Sequence, residues 1–191
     1  MPPVHYKQLN TLFHNEGNGK FVETSKQTGS GLLTPHVGRG VAFADFDNDG
    51  FLDLVIGNNG GPPLLLHNSG GNGNHFLNLK LVGTKSNRDS MGARVTVVAG
   101  GISQIREIAG GGSYLSQSDL RASFGLGKAT RSETVEIQWP SGLRQVFRNV
   151  EADKFYQLEK GRDRLGRSAW RRHSRRERQM INEAHLALSF E

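Results

Sequence analysis

From residue 75 onward, apolar and polar side chains alternate along the chain in short runs. In "HFLNLKLV" (75–82), leucines at positions 77, 79 and 81 alternate with Asn78 and Lys80, which is the two-residue period of a strand with one buried face. Similar runs follow at 93–99, 103–109, 121–127, 134–139, 144–147 and 154–158. The "WPSG" segment (139–142) predicts a hairpin turn between two of them. Together these runs predict a β-sandwich or a small barrel over residues 75–160.

The first 74 residues have a different organisation, built on a local repeat. "LFHNEGNGKF" (12–21) resembles "LLHNSGGNGNHF" (65–76), with His14-Asn15 recurring as His67-Asn68. Each copy predicts a short strand, an Asn/Gly-rich turn and a second strand. "GVAFADF" and "LDLVIGNN", between the copies, also read as strands. A repeat of this length made of short strands is typical of a propeller blade.

The pattern changes again in the basic tail, residues 161–191. Ser174 and Glu177 have the spacing of a capping box, and the apolar residues that follow share one helical face. These are Met180, Ile181, Ala184 and Leu188. We predict a tail that is partly helical or disordered, and an all-β fold before it: one or more partial propeller blades followed by the sandwich-like or barrel-like domain.

Composition narrows the classes of function. The chain has no cysteine, which excludes disulfides and thiolate metal sites, and 35% hydrophobic residues, enough for a core. No apolar run is long enough to span a bilayer, and residues 1–5 lack the features of a signal peptide. The net charge of +6 belongs mainly to the tail, which has eight arginines and four acids. With one aromatic residue, Trp170, among these arginines, the tail does not predict specific nucleic-acid binding.

The nonapeptide "DFDNDGFLD" (45–53) carries the strongest chemical signal. Its carboxylates alternate along a loop as the oxygen ligands of a calcium ion do, and Gly50 provides a bend with positive φ. The predicted ligands are Asp45, Asp47, Asp49, the backbone carbonyl of Phe51, and Asp53. An EF-hand would require glutamate at position 12 of the loop, where Ile56 stands, and helices on both sides. A solvated Asp/Asn/Gly turn is the simpler alternative, but it does not explain why Asp45 and Asp53 bracket the turn. Magnesium fits less well, because it demands tighter octahedral geometry.

Two resemblances follow from these motifs. "GVAFADFDNDGFLDLVIGN" resembles the FG-GAP/VCBS repeat of integrin-type β-propellers, which implies that the same five ligands hold calcium. The run from "GARVTVVAGG" to "VEIQWPSG" (92–142) resembles the ASPIC/UnbV domain. A closed propeller needs at least four blades, so we expect this chain to be the C-terminal end of a longer protein whose other blades complete the ring.

Other candidate chemistry is weaker. The polar loop "GGGSYLSQSD" (110–119) is a candidate ligand-binding loop or a structural loop with close packing; its candidate binding residues are Ser113, Tyr114, Ser116, Gln117 and Asp119. None of the seven histidines has the H-E-x-x-H spacing, so the sequence predicts no zinc site. Motifs of a catalytic serine, G-x-S-x-G and S-x-x-K, are also missing from the sequence.

Two hypotheses of function remain. The first is a non-catalytic, calcium-binding β module that binds a protein or glycan, and the resemblance implies an extracellular, cell-surface or periplasmic location. The second is an accessory or enzymatic protein of a biosynthetic pathway, as the UnbV part of the family name suggests. The residues favour the first hypothesis, because they contain no paired carboxylates or nucleophile–base pair outside the acidic loop.

Overall fold

The computed structural model describes residues 6–70, 73–85 and 87–167. The strands that precede the sandwich are β1 (Phe13–Gly17), β2 (Lys20–Glu23), β3 (Gly38–Ala44), β4 (Asp53–Asn58) and β5 (Leu64–Leu66). Two short 3₁₀ turns, Ser25–Gln27 and Ser30–Leu32, lie between β2 and β3. The described residues contain no helix long and apolar enough to cross a membrane.

The N-terminal part forms two small antiparallel sheets. Strands β1 and β2 make a hairpin, and β3, β4 and β5 form a three-stranded sheet in that order. Ala44 pairs with Asp53 at the end of the β3–β4 ladder, so the acidic nonapeptide closes this hairpin. The ladder explains the tight turn, because the two arms of the loop are held side by side where the pairing ends.

The two copies of the local repeat fold differently. In the first copy, β1 pairs directly with β2. In the second, β5 pairs with β4, whereas the chain after the Asn/Gly turn joins the sandwich and pairs with the strands Ala122–Gly127 and Lys154–Glu159. The sequence repeat therefore predicts the strands correctly but not their partners, since partner choice depends on where apolar surface is available.

The described residues from 75 onward form ten strands. They are β6 (His75–Val82), β7 (Arg94–Ala99), β8 (Ile102–Glu107), β9 (Gly112–Ser113), β10 (Ser116–Gln117), β11 (Ala122–Gly127), β12 (Arg131–Gln138), β13 (Arg144–Glu151), β14 (Lys154–Glu159) and β15 (Gly166–Arg167). Two four-stranded sheets, ordered β11-β6-β14-β15 and β13-β12-β7-β8, contribute to one apolar core. The all-β prediction is confirmed, with a sandwich of open sheets in place of a closed barrel.

The core is built by the alternation that the sequence displays. Leu77, Leu79 and Leu81 of β6 are almost fully buried and pack with Val95 of β7 and Val135 of β12. The predicted hairpin at "WPSG" is also present: the N–H of Gly142 donates to the carbonyl of Trp139 (2.9 Å) between β12 and β13.

Two of the predicted domain boundaries lie close to the ends of strands. The proposed division at 74/75 coincides with the start of β6, and the pairing of β15 with β14 extends regular structure beyond residue 160. The domain limits 1–74, 75–160 and 161–191 stay predictions. The predicted helix at 174–188 lies outside the described residues.

A core substitution tests the sandwich. Leu79→Ala should lower the free energy of unfolding by about 2–5 kcal/mol, because it removes a fully buried side chain and leaves a cavity. Ile102→Ala, at a position that is 65% exposed, is the matched control and should change it by less than about 0.5 kcal/mol. Denaturant unfolding of both variants measures the difference. Equal effects would contradict the assignment of Leu79 to the core.

Candidate metal centre

The four aspartates of the nonapeptide are brought together and buried. Asp45, Asp47, Asp49 and Asp53 are each at most 4% exposed. Single oxygen atoms from Asp45, Asp47 and Asp53 lie within 4.8 Å of one another. Four carboxylates gathered out of water repel one another and lose hydration, so a site of this kind needs a cation or protons.

Backbone amides of the loop hold these carboxylates in place. Asp45 accepts hydrogen bonds from the N–H groups of Asp49 and Gly50, both at 2.9 Å. Asp53 accepts from the N–H groups of Phe46 (3.1 Å) and Asn68 (2.8 Å). The donors come from the first arm of the loop, from its bend and from the segment after β5, so the local sequence and the sheet together orient the oxygens.

The pKa values and hydrogen bonds of the loop carboxylates indicate a site that suits a cation. Burial raises the pKa of Asp45 to about 7, against the opposing effects of the Gly50 amide and the Arg121 guanidinium. Burial also raises the pKa of Asp53. In addition, Oδ2 of Asp47 is buried and accepts no hydrogen bond. A buried acceptor without a donor, beside carboxylates that are reluctant to ionise, is what a bound cation would satisfy.

The donor set suits calcium. All of the clustered side-chain donors from the nonapeptide are oxygens, and a hard divalent cation of calcium's size takes six to eight of them. Asp45, Asp47, Asp49 and Asp53 would hold the ion. The carbonyl of Phe51 stays a predicted fifth ligand.

Gly50 is required for two separate reasons. Its φ of +101° lies in the region that favours glycine, as the sequence predicts. A Cβ at this position would also overlap the ring of Phe76, at the start of β6. The bend of the loop is therefore pressed against the sandwich, which the sequence pattern did not show.

Arg121 joins the loop to the sandwich. Its guanidinium donates to the carbonyl of Asp45 (2.8 Å) and to Oδ1 of Asn48 (2.7 Å), and pairs with Asp119. The residue is 8% exposed, and its guanidinium lies 5.8 Å from the ring centroid of Phe155. A buried arginine with three acceptors fixes the outside of the loop without occupying its interior.

Asn78 supplies a second link from the outer face of β6. Its Nδ2 lies 3.5 Å from Oδ2 of Asp45, at the limit of a hydrogen bond, and the residue is 1% exposed. The alternation in "HFLNLKLV" puts Asn78 on the face of β6 that the leucines do not occupy. If nothing covered that face, the Asn78 side chain would lie in solvent. The acidic loop covers it instead.

His67 is a further residue that sequence reasoning missed. It stands directly after β5, and its Nε2 lies 3.4 Å from Oδ2 of Asp47. The equivalent His14 lies in β1, which pairs with β2 and not with the strand that follows the acidic loop, so the repeat does not give the two histidines the same surroundings. The feature that could have indicated this contact is the position of His67 at the end of β5, because β5 pairs with β4, the strand that follows the loop.

The candidate ligand loop 110–119 packs against the edge of β3. Oγ of Ser113 accepts from the N–H of Val41 (3.1 Å), and the N–H of Asp119 donates to the carbonyl of Phe43 (2.9 Å). Within the loop, Ser116 donates to the carbonyl of Tyr114 and Gln117 accepts from the N–H of Gly111. Tyr114 is 66% exposed. These bonds support the structural interpretation, and ligand binding by this loop stays a prediction.

The class of protein follows from two family matches. Residues 5–56 match the FG-GAP-like repeat, and residues 83–165 match the ASPIC and UnbV family. The chain therefore combines an FG-GAP-type repeat with an ASPIC/UnbV domain, and both resemblances drawn from the sequence are confirmed.

Among curated proteins, the chain is similar to cartilage acidic protein 1. It is 56% identical to the mouse protein over 54 residues, which is 28% of this chain and 8% of that protein. It is 47% identical to the Xenopus tropicalis protein over 64 residues, or 34% and 10%, and 52% identical to the human protein over 54 residues, or 28% and 8%. The matched segments thus span a tenth or less of the length of these relatives.

Replacing Arg121 should loosen the loop from the sandwich. Arg121→Lys keeps the charge but cannot reach three acceptors, and we expect a loss of about 2–4 kcal/mol of stability because hydrogen bonds to charged groups contribute roughly 1.5–3 kcal/mol each. Hydrogen exchange at the Asp49 and Gly50 amides, together with denaturant unfolding, measures the effect. Arg106→Lys, in exposed strand β8, is the control. Unchanged exchange in the Arg121 variant would show that the arginine does not hold the loop.

The stability of the calcium-free protein should depend on the Asp45 carboxyl. Because its pKa is 3.8 when unperturbed and about 7 in the fold, the folded state binds the extra proton between these values. The stability contributed by protonation is therefore lost as pH rises from 3.8 to about 7. Denaturant unfolding across this range should show the decline, and Asp45→Asn, which cannot ionise, should flatten it. A variant that declines as steeply as the wild type would rule Asp45 out as the cause.

Proposed function

We propose that this chain is a non-catalytic, calcium-binding β module whose ion fixes the acidic loop against the sandwich. The observation that carries the proposal is the burial of four aspartates within nine residues. In a metal-free fold, their desolvation and mutual repulsion oppose folding. One calcium ion would neutralise two of the charges and replace lost hydration with direct oxygen contacts. The match of this segment to the FG-GAP-like repeat supports calcium in particular.

The ion's role in this proposal is structural. The two carboxyls whose pKa values burial raises, Asp45 and Asp53, both belong to the loop and are tied to backbone amides. Such an ion has its coordination filled largely by the protein, which suits stabilisation better than activation of a substrate. This arrangement favours the binding module over the alternative of a biosynthetic enzyme or accessory protein.

We further propose that additional propeller blades from a longer parent chain cover the β3–β4 sheet. Apolar side chains on these two strands remain 39–44% exposed: Val41, Phe43 and Val55. Neighbouring blades of a propeller bury surfaces of this kind. The short coverage of the cartilage acidic protein 1 relatives agrees with a longer parent.

The likeness to cartilage acidic protein 1 supports a location outside the cytoplasm. Free calcium is plentiful there, so a loop of moderate affinity would be filled. Adhesion, or the binding of a protein or glycan, is the activity that such a module would serve.

Calcium titration tests this function directly. Wild-type protein should bind calcium in calorimetry and unfold at a higher temperature, gaining about 2.7 kcal/mol when free calcium is a hundred times the dissociation constant. Asp47→Asn should abolish most of both effects, because Asp47 provides the buried oxygen that accepts no hydrogen bond. Asp89→Asn, an exposed acid of the sandwich, is the control. Identical melting with calcium and with chelator, and no heat of binding, would refute the proposal.

A further inference from the structure

An imidazole lies at the border of the carboxylate cluster and is held there from two sides. The N–H of Asn68, the next residue, donates to Oδ1 of Asp53 (2.8 Å) and ties this segment to the loop. The ring of His67 packs against the ring of Phe46, with centroids 5.4 Å apart. The side chain is 26% exposed, so it is partly shielded from water. Its position is thus determined by contacts with the acidic loop itself.

The distances fit a shared ion. Nε2 of His67 is 3.4 Å from Oδ2 of Asp47 and 4.0 Å from Oδ1 of Asp53. Donor atoms of Asp47, Asp49 and His67 all lie within 4.8 Å of one another. Two ligands at right angles on an ion with bonds of about 2.1–2.4 Å stand about 3.0–3.4 Å apart. The His67–Asp47 separation is therefore that of neighbouring ligands.

Asp47 gives an independent indication that a ligand belongs at this point. Its Oδ1 accepts a hydrogen bond from the N–H of Asp49 (3.2 Å), whereas its Oδ2 is buried and accepts none. A carboxylate oxygen withdrawn from water has to find a positive partner. The oxygen that accepts no hydrogen bond, Oδ2, is the one nearest to the imidazole.

The chemistry of the donors decides which ion this subset prefers. Calcium selects oxygen ligands, and a nitrogen donor adds little to its binding. Imidazole suits zinc, copper and other first-row transition metals, which also accept carboxylates. We propose that Asp47, Asp49 and His67 form a nitrogen-containing site for a first-row transition-metal dication, overlapping the calcium site. The inference rests on the proposed function in one respect, since the two ions would share Asp47 and Asp49 and hence compete.

Such a site is invisible to motif searches. The H-E-x-x-H motif joins ligands on one helix, whereas His67 is brought to the loop by the pairing of β5 with β4. The sequence expectation of no zinc site considered only spacing along a helix. The pairing of these strands brings His67 close to Asp47 and Asp49.

The test compares His67→Gln with His14→Gln, which alters the equivalent exposed repeat position. Zinc and calcium are each titrated calorimetrically into the full chain, and Cu²⁺ serves as a paramagnetic probe of nitrogen coordination. Because loss of even an outer-shell partner costs about 10- to 100-fold in metal affinity, His67→Gln should weaken zinc binding at least about tenfold. Calcium affinity should change by less than about threefold. Excess calcium should displace zinc from the wild type, and the nitrogen coupling of Cu²⁺ should be lost only in the His67 variant.

Three results would overturn the inference: unchanged zinc affinity in His67→Gln, equal loss of zinc and calcium binding, or a Cu²⁺ spectrum without coupling from His67. The proposed function fails separately. Wild-type protein that binds zinc through His67 but not calcium would refute the calcium module and support this site. Wild-type protein that binds calcium with no contribution of His67 to zinc would do the reverse.

Discussion

The burial of charge between the β3–β4 hairpin and the outer face of the sandwich is the constraint on which the rest of this structure depends. Four aspartates are removed from water, and each needs donors or a cation to replace its hydration. Loop amides provide part of this through the fixed bends of the nonapeptide. The remainder falls to groups from outside the loop, which explains why the loop has to be docked as well as folded.

That requirement gives β6 two distinct faces. Its leucines fill the sandwich core, while Phe76 and Asn78 meet the acidic loop on the opposite side. A strand of an ordinary sandwich would present polar side chains to solvent there. The second repeat copy leads straight into this strand, so the chain passes from blade to sandwich at the place where the loop needs support.

How far the sequence predicts this arrangement depends on how local each contact is. The spacing from Asp45 to Asp53, and the positive φ of Gly50, are properties of nine consecutive residues and can be read directly. The strands of the sandwich follow from alternation, because burial on one face leaves a period of two. Arg121 lies 76 residues from Asp45, and nothing in its neighbourhood marks it as a partner of the loop. The role of His67 is not visible in the sequence for another reason: its repeat equivalent, His14, lies in β1, which pairs with β2 and not with the strand after the loop.

Because the loop has both local and distant contacts, ion binding by the loop is coupled to docking of the loop on the sandwich. An ion held by the four aspartates is coordinated by local residues, yet the orientation of Asp45 and Asn48 depends on Arg121 from the sandwich. Coupling between two equilibria is reciprocal. Any free energy by which docking of the loop on the sandwich strengthens ion binding is also the free energy by which ion binding stabilises the docking. With the cation bound as proposed, the strength of the blade–sandwich contact would depend on the free cation concentration. A module that works where calcium is abundant would be rigid there and looser where calcium is scarce, and this difference requires no moving part beyond one loop and one arginine.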